Sequence, residues 1–344
     1  MKIDVYSPTI RRKEMDAVLT ALVEDKIGPG DQARLLIAGA REYLQYDYSL
    51  ALRSPAIALR LALESLGLED GQGVVISALS PRYYVRVIES LRLTPVYCDV
   101  LPSTCNMGPE TIEAALAGKP PGLDARCIVV HHVLGFIPDM PAITALGLPV
   151  IEDCSRSYGG LLGEVKAGSF GVMTILGLEE RDMLTAGGGA LLYAVNRRDA
   201  AVLRNLDPLP EFCLPDMNAA MGVVQFREAA KNLQKRKEIA QVYIQSSLQT
   251  RHKRFSETEE TEYNHYAFSL ILETGVKDVK AYAKRKEIIV ENAFEDTVAG
   301  SGRIPPAQCP ESYSLSLRTV LFPLYPRLGA SEIEKVVKLI VSLP

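Results

Sequence analysis

Apolar and polar positions alternate along this chain in two rhythms. From residue 11 to 23 the apolar positions are Met15, Val18, Leu19, Leu22 and Val23. Steps of three and four predict an amphipathic helix, which Gly28-Pro29-Gly30 then ends. From Gly147 onward the rhythm changes. Three short apolar runs at 149–151, 172–176 and 190–193 are separated by Gly- and Ser-rich turns, which predicts buried strands. Residues 73–77 and 127–131 read as strands too, and 81–91 as a helix. A further helix is predicted over 55–66, with Ser54 as its cap and Pro55 in its first turn. Pro208-Leu209-Pro210 marks a break, and a long helix follows Asp216. The charge run 231–238 predicts a solvated face on that helix. The polar stretch 251–263 reads as a loop between domains. Beyond it a strand at 266–272, a helix at 276–285, a strand at 288–290 and a helix at 331–342 make a small α/β unit. The pattern predicts a large α/β domain over 1–250 and a small C-terminal α/β domain over 251–344.

Glu152 and Asp153 follow the run at 149–151. In an open α/β sheet, ligands bind where strands end in this way. The alternative is that one carboxylate caps a helix or satisfies a turn. Gly187-Gly188-Gly189 precedes a strand rather than a helix, so it makes no dinucleotide loop.

A chain of 344 residues is long enough for a large core and two domains. The net charge of −4 and pI near 5.8 argue against a nucleic-acid binder. No apolar run approaches a membrane span, and Met1-Lys2-Ile3-Asp4 leads into polar sequence without a signal peptide. The six cysteines, at 98, 105, 127, 154, 213 and 309, form no CxxC pair. They are expected to be free thiols, most of them buried, in a reducing cytoplasm. Four histidines without ligand spacing leave no metal to assign.

The order around Asp153 narrows the reading. A strand ending in Asp153 is followed by Gly163-x-x-x-x-Gly168-Ser169-x-Gly171, a strand, a polar loop, the Gly triplet and another strand. This resembles the DegT/DnrJ/EryC1/StrS sugar aminotransferases, pyridoxal-phosphate enzymes of the aspartate aminotransferase fold. The likeness extends to Val130-His131-His132-Val133-Leu134-Gly135, to Asp99-Val100 ending a strand over 95–100, and to Arg236, Lys237, Ala240 and Tyr243. Leu321-Phe322-Pro323-Leu324-Tyr325-Pro326 also matches. It implies a helix over 31–44. It also implies fold type I: a mixed, mostly parallel seven-stranded sheet between helices, plus the small C-terminal domain.

The resemblance implies site residues as well. Asp153 would pair with the pyridine nitrogen. Ser54, Pro55 and Ala56 stand where Ser-Gly-Thr grips the cofactor phosphate, and there Pro55 lacks an N–H and Ala56 a hydroxyl. Tyr83 or Tyr84 would cover the ring, unless these tyrosines simply lie on the helix surface. Arg156 replaces a Gln that touches the ring oxygen, so it would bind another anion or pair with Glu179 or Glu180. Glu211-Phe212-Cys213 replaces Asn-Tyr-Arg. His132 is given no catalytic role. The Schiff-base lysine is missing, for no lysine lies between Lys166 and Lys231. Counting back from the Gly triplet places it at Arg181, and counting forward from Gly171 places it at Asp182. Neither forms an imine.

Three readings follow. The first is a non-catalytic relative whose cofactor residues are vestigial. It has no covalent cofactor, although pyridoxal or pyridoxamine phosphate could bind non-covalently, and it binds a nucleotide sugar or another anion. It acts as a homodimer or as a heterodimer with an active paralogue. Asp153→Asn is then expected to be tolerated. The second is a PLP- or PMP-dependent aminotransferase or dehydratase of a nucleotide-linked keto sugar, which uses pyridoxamine phosphate without a covalent lysine, with Asp182 or Glu180 as base. The third is an ordinary aminotransferase that uses Lys166, a lysine in an exposed turn.

Overall fold

The computed structural model describes residues 2–257 and 260–344; Met1, Thr258 and Glu259, the last two within the predicted loop, lie outside it. The chain opens with α1 (Arg12–Val23) and α2 (Asp31–Leu44), then β1 (Tyr48–Leu52) and α3 (Pro55–Ser65). Next come β2 (Gly73–Ser77), α4 (Tyr83–Ser90), β3 (Thr94–Cys98), α5 (Pro109–Gly118), β4 (Ala125–His131), α6 (Met140–Thr144) and β5 (Val150–Asp153). A hairpin of β6 (Leu161–Leu162) and β7 (Val165–Lys166) leads to β8 (Met173–Gly177), β9 (Ala190–Ala194), α7 (Arg197–Arg204) and the 32-residue α8 (Asp216–Ser247). The C-terminal part holds β10 (Thr261–Glu262), β11 (Phe268–Ile271), α9 (Val276–Arg285), β12 (Glu291–Asn292), α10 (Pro310–Arg318), β13 (Thr319–Phe322) and α11 (Ala330–Val341).

Seven strands form one sheet in the order β1-β9-β8-β5-β4-β2-β3. The pairs from β3 across to β8 are parallel, while β9 runs antiparallel to both β8 and β1. Side chains alternate across this sheet with the period of two that a pleated strand imposes. Val74, Ile76, Cys127, Val129, Ala190 and Leu192 point to the core shared with α3 and α4. Val75, Ile128, Val130, Leu191 and Tyr193 point to the core shared with α2, α5 and α8. Both faces are therefore covered, as a parallel sheet requires, and its strands end in loops that carry the site.

A second sheet, β11-β13-β12, carries a third core with Ile3, Val279, Val336 and Leu339. Ile239, Ala240 and Tyr243 of α8 belong to it, so α8 spans both parts of the molecule. Arg236 corrects the reading of 231–238 as a solvated face. It is buried, and its Nη1 donates to the carbonyls of Tyr266 and Leu324. The strand expected at 288–290 is displaced: Ile288 makes a single parallel bridge to Ile3, and the ladder with β13 uses Glu291 and Asn292. The loop over 251–263 is not structureless either. Lys253 bridges Ile271, and β10 extends the β6-β7 hairpin.

Candidate functional site

Asp153 ends β5 at the carboxyl edge of the parallel strands and is 2% exposed. Its Oδ1 accepts hydrogen bonds from the Ser155 backbone N–H at 3.0 Å and from the Ser155 hydroxyl. Its Oδ2 accepts one from the Tyr84 hydroxyl, and His131 Nδ1 lies 3.5 Å from the same oxygen. Burial pushes this carboxyl up, but His131, Ser155 and Tyr84 pull it further down, well below the ordinary carboxylate range. Asp153 is ionised, and this chain's own side chains engage both its oxygens.

Glu152 points to the other face of β5. It accepts from the backbone N–H groups of Gly168 at 2.6 Å, Phe170 at 2.9 Å and Gly171 at 3.1 Å. It pins the turn that delivers β8. Gly168 has φ of +92°, and a Cβ there would meet the Tyr193 hydroxyl. His132 is fully buried, with Nδ1 2.6 Å from the Ser157 hydroxyl and Nε2 3.4 Å from Glu152. Burial lowers it to about 3, so the ring is neutral.

Tyr84 corrects the surface-tyrosine alternative, because it is 0% exposed at the start of α4. Tyr83 meets its ring edge-on at 5.0 Å between centroids and is itself partly buried. The two adjacent tyrosines differ in role: the hydroxyl of Tyr84, not that of Tyr83, bonds Asp153. At α3 the Ser54 hydroxyl accepts from the Ile57 N–H at 3.3 Å and so serves the helix itself. Pro55 is buried behind it and Ala56 is partly buried.

Arg181 and Asp182 face opposite ways. Arg181 extends to Glu291 at 2.7 Å and is exposed. Asp182 turns inward. Its Oδ2 accepts from the Glu179 N–H at 2.9 Å and lies so close to Gly177 that a Cβ there would collide with it. Burial raises the Asp182 carboxyl to about 7; the Glu179 N–H and the Arg156 guanidinium act against the rise, and the charge of Asp153 adds to it. Arg156 does not pair with Glu179 or Glu180. It lies over the Tyr266 ring at 5.4 Å, and Glu179 instead accepts from the Gly189 N–H. Lys166 is not an exposed turn lysine: its ammonium donates to the Tyr43 carbonyl at 2.6 Å and lies over the Tyr43 ring. A cleft of about 490 Å³ is lined among others by Arg156, Arg181, Tyr266, Glu291 and Asn292.

The fold thus gathers Asp153, Tyr83, Tyr84, Arg156 and Asp182. It adds Ser155, His131 and Tyr266, which sequence reasoning missed. Ser155 was within reach, since a hydroxyl two residues after an Asp is a common partner for it. Tyr266 comes from 110 residues beyond Arg156, and no local pattern marks it. Among the described residues no group of three or more His, Cys, Asp or Glu is placed to hold a metal, and no helix is long and apolar enough to cross a membrane.

A pyridoxal ring does not fit this arrangement. Its nitrogen would have to approach Asp153 Oδ2 where the fully buried Tyr84 phenol already stands. Its phosphate would meet a first turn in which Pro55 offers no N–H and Ala56 no hydroxyl beside Ser54. Its aldehyde would need an amine, yet no lysine lies between Lys166 and Lys231, and Lys166 is bound to Tyr43.

A mixed sheet covered by helices on both faces, with a buried aspartate at its carboxyl edge and a small C-terminal sheet, defines a protein of the fold type I aminotransferase class. The chain belongs to the DegT/DnrJ/EryC1/StrS aminotransferase family, which matches residues 8–207 and 211–341. It is 32% identical over 186 residues to the L-glutamine:2-deoxy-scyllo-inosose aminotransferase of Streptomyces lividus, covering 53% of this chain and 42% of that protein. The first curated relatives are thus matched over less than half their length. The dTDP-4-dehydro-2,3,6-trideoxy-D-glucose 4-aminotransferase of Saccharopolyspora spinosa is 24% identical over 97% of this chain and 94% of its own. Among solved structures, the sugar aminotransferase Spr1654 of Streptococcus pneumoniae, described as putative and in its PMP form, superposes with a TM-score of 0.89 at 17% identity, covering 99% and 97% of the two chains. A GDP-4-keto-6-deoxymannose-3-dehydratase, ColD, does so with a TM-score of 0.85 at 14% identity, over 98% and 100%.

Proposed function

We propose that the chain acts on a keto sugar or cyclitol ketone without a covalent lysine, by proton transfer at the carbon next to the carbonyl. The relatives support an enzyme over a non-catalytic role, since they are named as sugar or cyclitol aminotransferases and a keto-sugar dehydratase. The observation that carries the reading is Asp182. It is one of the two positions, with Arg181, at which the family resemblance expects the amine; it turns inward, and burial holds it at about 7. A carboxyl poised there takes and returns a proton at neutral pH. Arg156 supplies the positive charge for a carbonyl oxygen that becomes negative as the proton leaves. The neighbouring hydroxyl then leaves as water, taking the proton back from Asp182, which gives dehydration. The reading uses neither pyridoxal nor pyridoxamine phosphate, because the closed Asp153 does not fit their ring.

A second reading keeps a non-catalytic protein that binds a nucleotide sugar in the same cleft. It is favoured by the joint loss of the amine, the Thr hydroxyl at Ala56 and the free oxygen on Asp153. Two further proposals accompany both readings. The chain pairs with a second copy, or with an active paralogue, through the apolar residues that α1 leaves exposed. It works in a reducing cytoplasm, which its six unpaired cysteines support.

Incubation with nucleotide-linked keto sugars in heavy water separates the two readings. The enzyme is expected to place deuterium next to the carbonyl, at a rate that rises as pH passes about 7 and Asp182 loses its proton. Asp182→Asn is expected to slow exchange by about a hundredfold or more. A keto sugar that raises the melting temperature but never exchanges would select the non-catalytic reading.

A further inference from the structure

We propose that Tyr84 closes the ring site from within: its phenol is the permanent ligand of Asp153, standing where a protonated ring nitrogen would otherwise bind. Three observations converge on this. The hydroxyl donates to Asp153 Oδ2 while Ser155 takes Oδ1 twice, and His131 Nδ1 stands 3.5 Å from Oδ2, so side chains of this protein crowd both oxygens. The ring is fully buried and wedged edge-on between Tyr83 and His131, at 5.0 and 6.2 Å between centroids.

The backbone that carries it is also fixed. Tyr84 N–H donates to the Pro81 carbonyl, and Pro81 bridges Thr297. Arg82 N–H donates to Asp296, while Val298 and Ala299 donate to the carbonyls of Ser80 and Ala78. The C-terminal segment thus straps down the entry to α4, so opening the site requires losing the phenol rather than swinging a loop. Restoring a lysine at 182 alone would then leave the cofactor excluded. The inference holds whether or not Asp182 is a base.

The test is equilibrium dialysis of pyridoxamine phosphate against the parent, Tyr84→Phe and Tyr84→Ala. The parent and Tyr84→Phe, whose ring still fills the space, are expected to show no saturable binding. Tyr84→Ala is expected to gain a single saturable site, and Asp153→Asn in that background should weaken it by about tenfold or more through loss of the charge-assisted bond. Saturable binding by the parent or by Tyr84→Phe overturns the proposal, as does a folded Tyr84→Ala that binds nothing. Tyr84→Leu, which keeps apolar contacts along α4 and still frees Asp153, is the second opening variant should Tyr84→Ala not fold. Its failure to bind counts in the same way. None of these outcomes depends on whether a keto sugar exchanges.

Discussion

Asp153 keeps its charge without a cofactor, and that changes what its substitution should do. Tolerance of Asp153→Asn follows from the sequence only if the carboxylate has nothing left to hold. In the fold it accepts from Ser155 twice and from Tyr84 once. An amide in its place presents N–H to a donor and loses the charge that strengthens each bond. Asp153→Asn is expected to cost about 1.5–3 kcal/mol in chemical denaturation at neutral pH. The pH sense follows from the depressed carboxyl. Its contribution is fully present above its unfolded value of about 3.9 and is lost as pH falls through the folded value. The gap between parent and Asp153→Asn should therefore narrow in acid. Equal stability at pH 7 would return Asp153 to a spectator. Asp153 as a site residue was legible from its place after a strand, but its partners were not, because Tyr84 and His131 reach it from other strands and helices.

At the scale of elements, α3 shows how a family motif is reassigned. Pro55 and Ala56 remove an N–H and a hydroxyl from its first turn, and Ser54 caps it by accepting from Ile57. Ser54→Ala is expected to destabilise the protein by about 1 kcal/mol in urea denaturation, whereas a serine held for a phosphate would leave stability unchanged. The helices were the more legible elements. α9 falls within the limits read from its own pattern, and α2 within those the family resemblance implied. β1 went unpredicted, since residues 48–52 become a strand only by pairing with β9. The strand expected at 288–290 moved because β13 offers its ladder to Glu291 and Asn292, and Ile3 takes Ile288.

For the whole molecule, the uncovered surface matters as much as the core. Met15, Leu19, Leu22 and Val23 of α1 are exposed, along with Ile27 beyond it. A dimer through α1 is expected to sediment as one species at micromolar concentration. Leu19→Glu with Val23→Glu should shift it to monomer while leaving the protomer's far-ultraviolet spectrum unchanged. A parent that sediments as a monomer, with no partner recovered from cells, would remove the proposal.

The class of this protein is written in local order. Helical and strand periods, Gly and Pro punctuation and the run from Asp153 to the Gly triplet act over a few neighbours, so they can be read along the chain. The missing lysine can be read in the same way, since no residue from 167 to 230 is a lysine. What fills its place cannot. Arg181 and Asp182 are adjacent, and only the turn after β8 sends one to Glu291 and the other inward. Tyr83 and Tyr84 are adjacent too, and only the strapping of α4 by residues 296–299 aims the second at Asp153. Packing between distant segments decides which side chain faces a buried charge, and that choice separates an open cofactor site from a closed one.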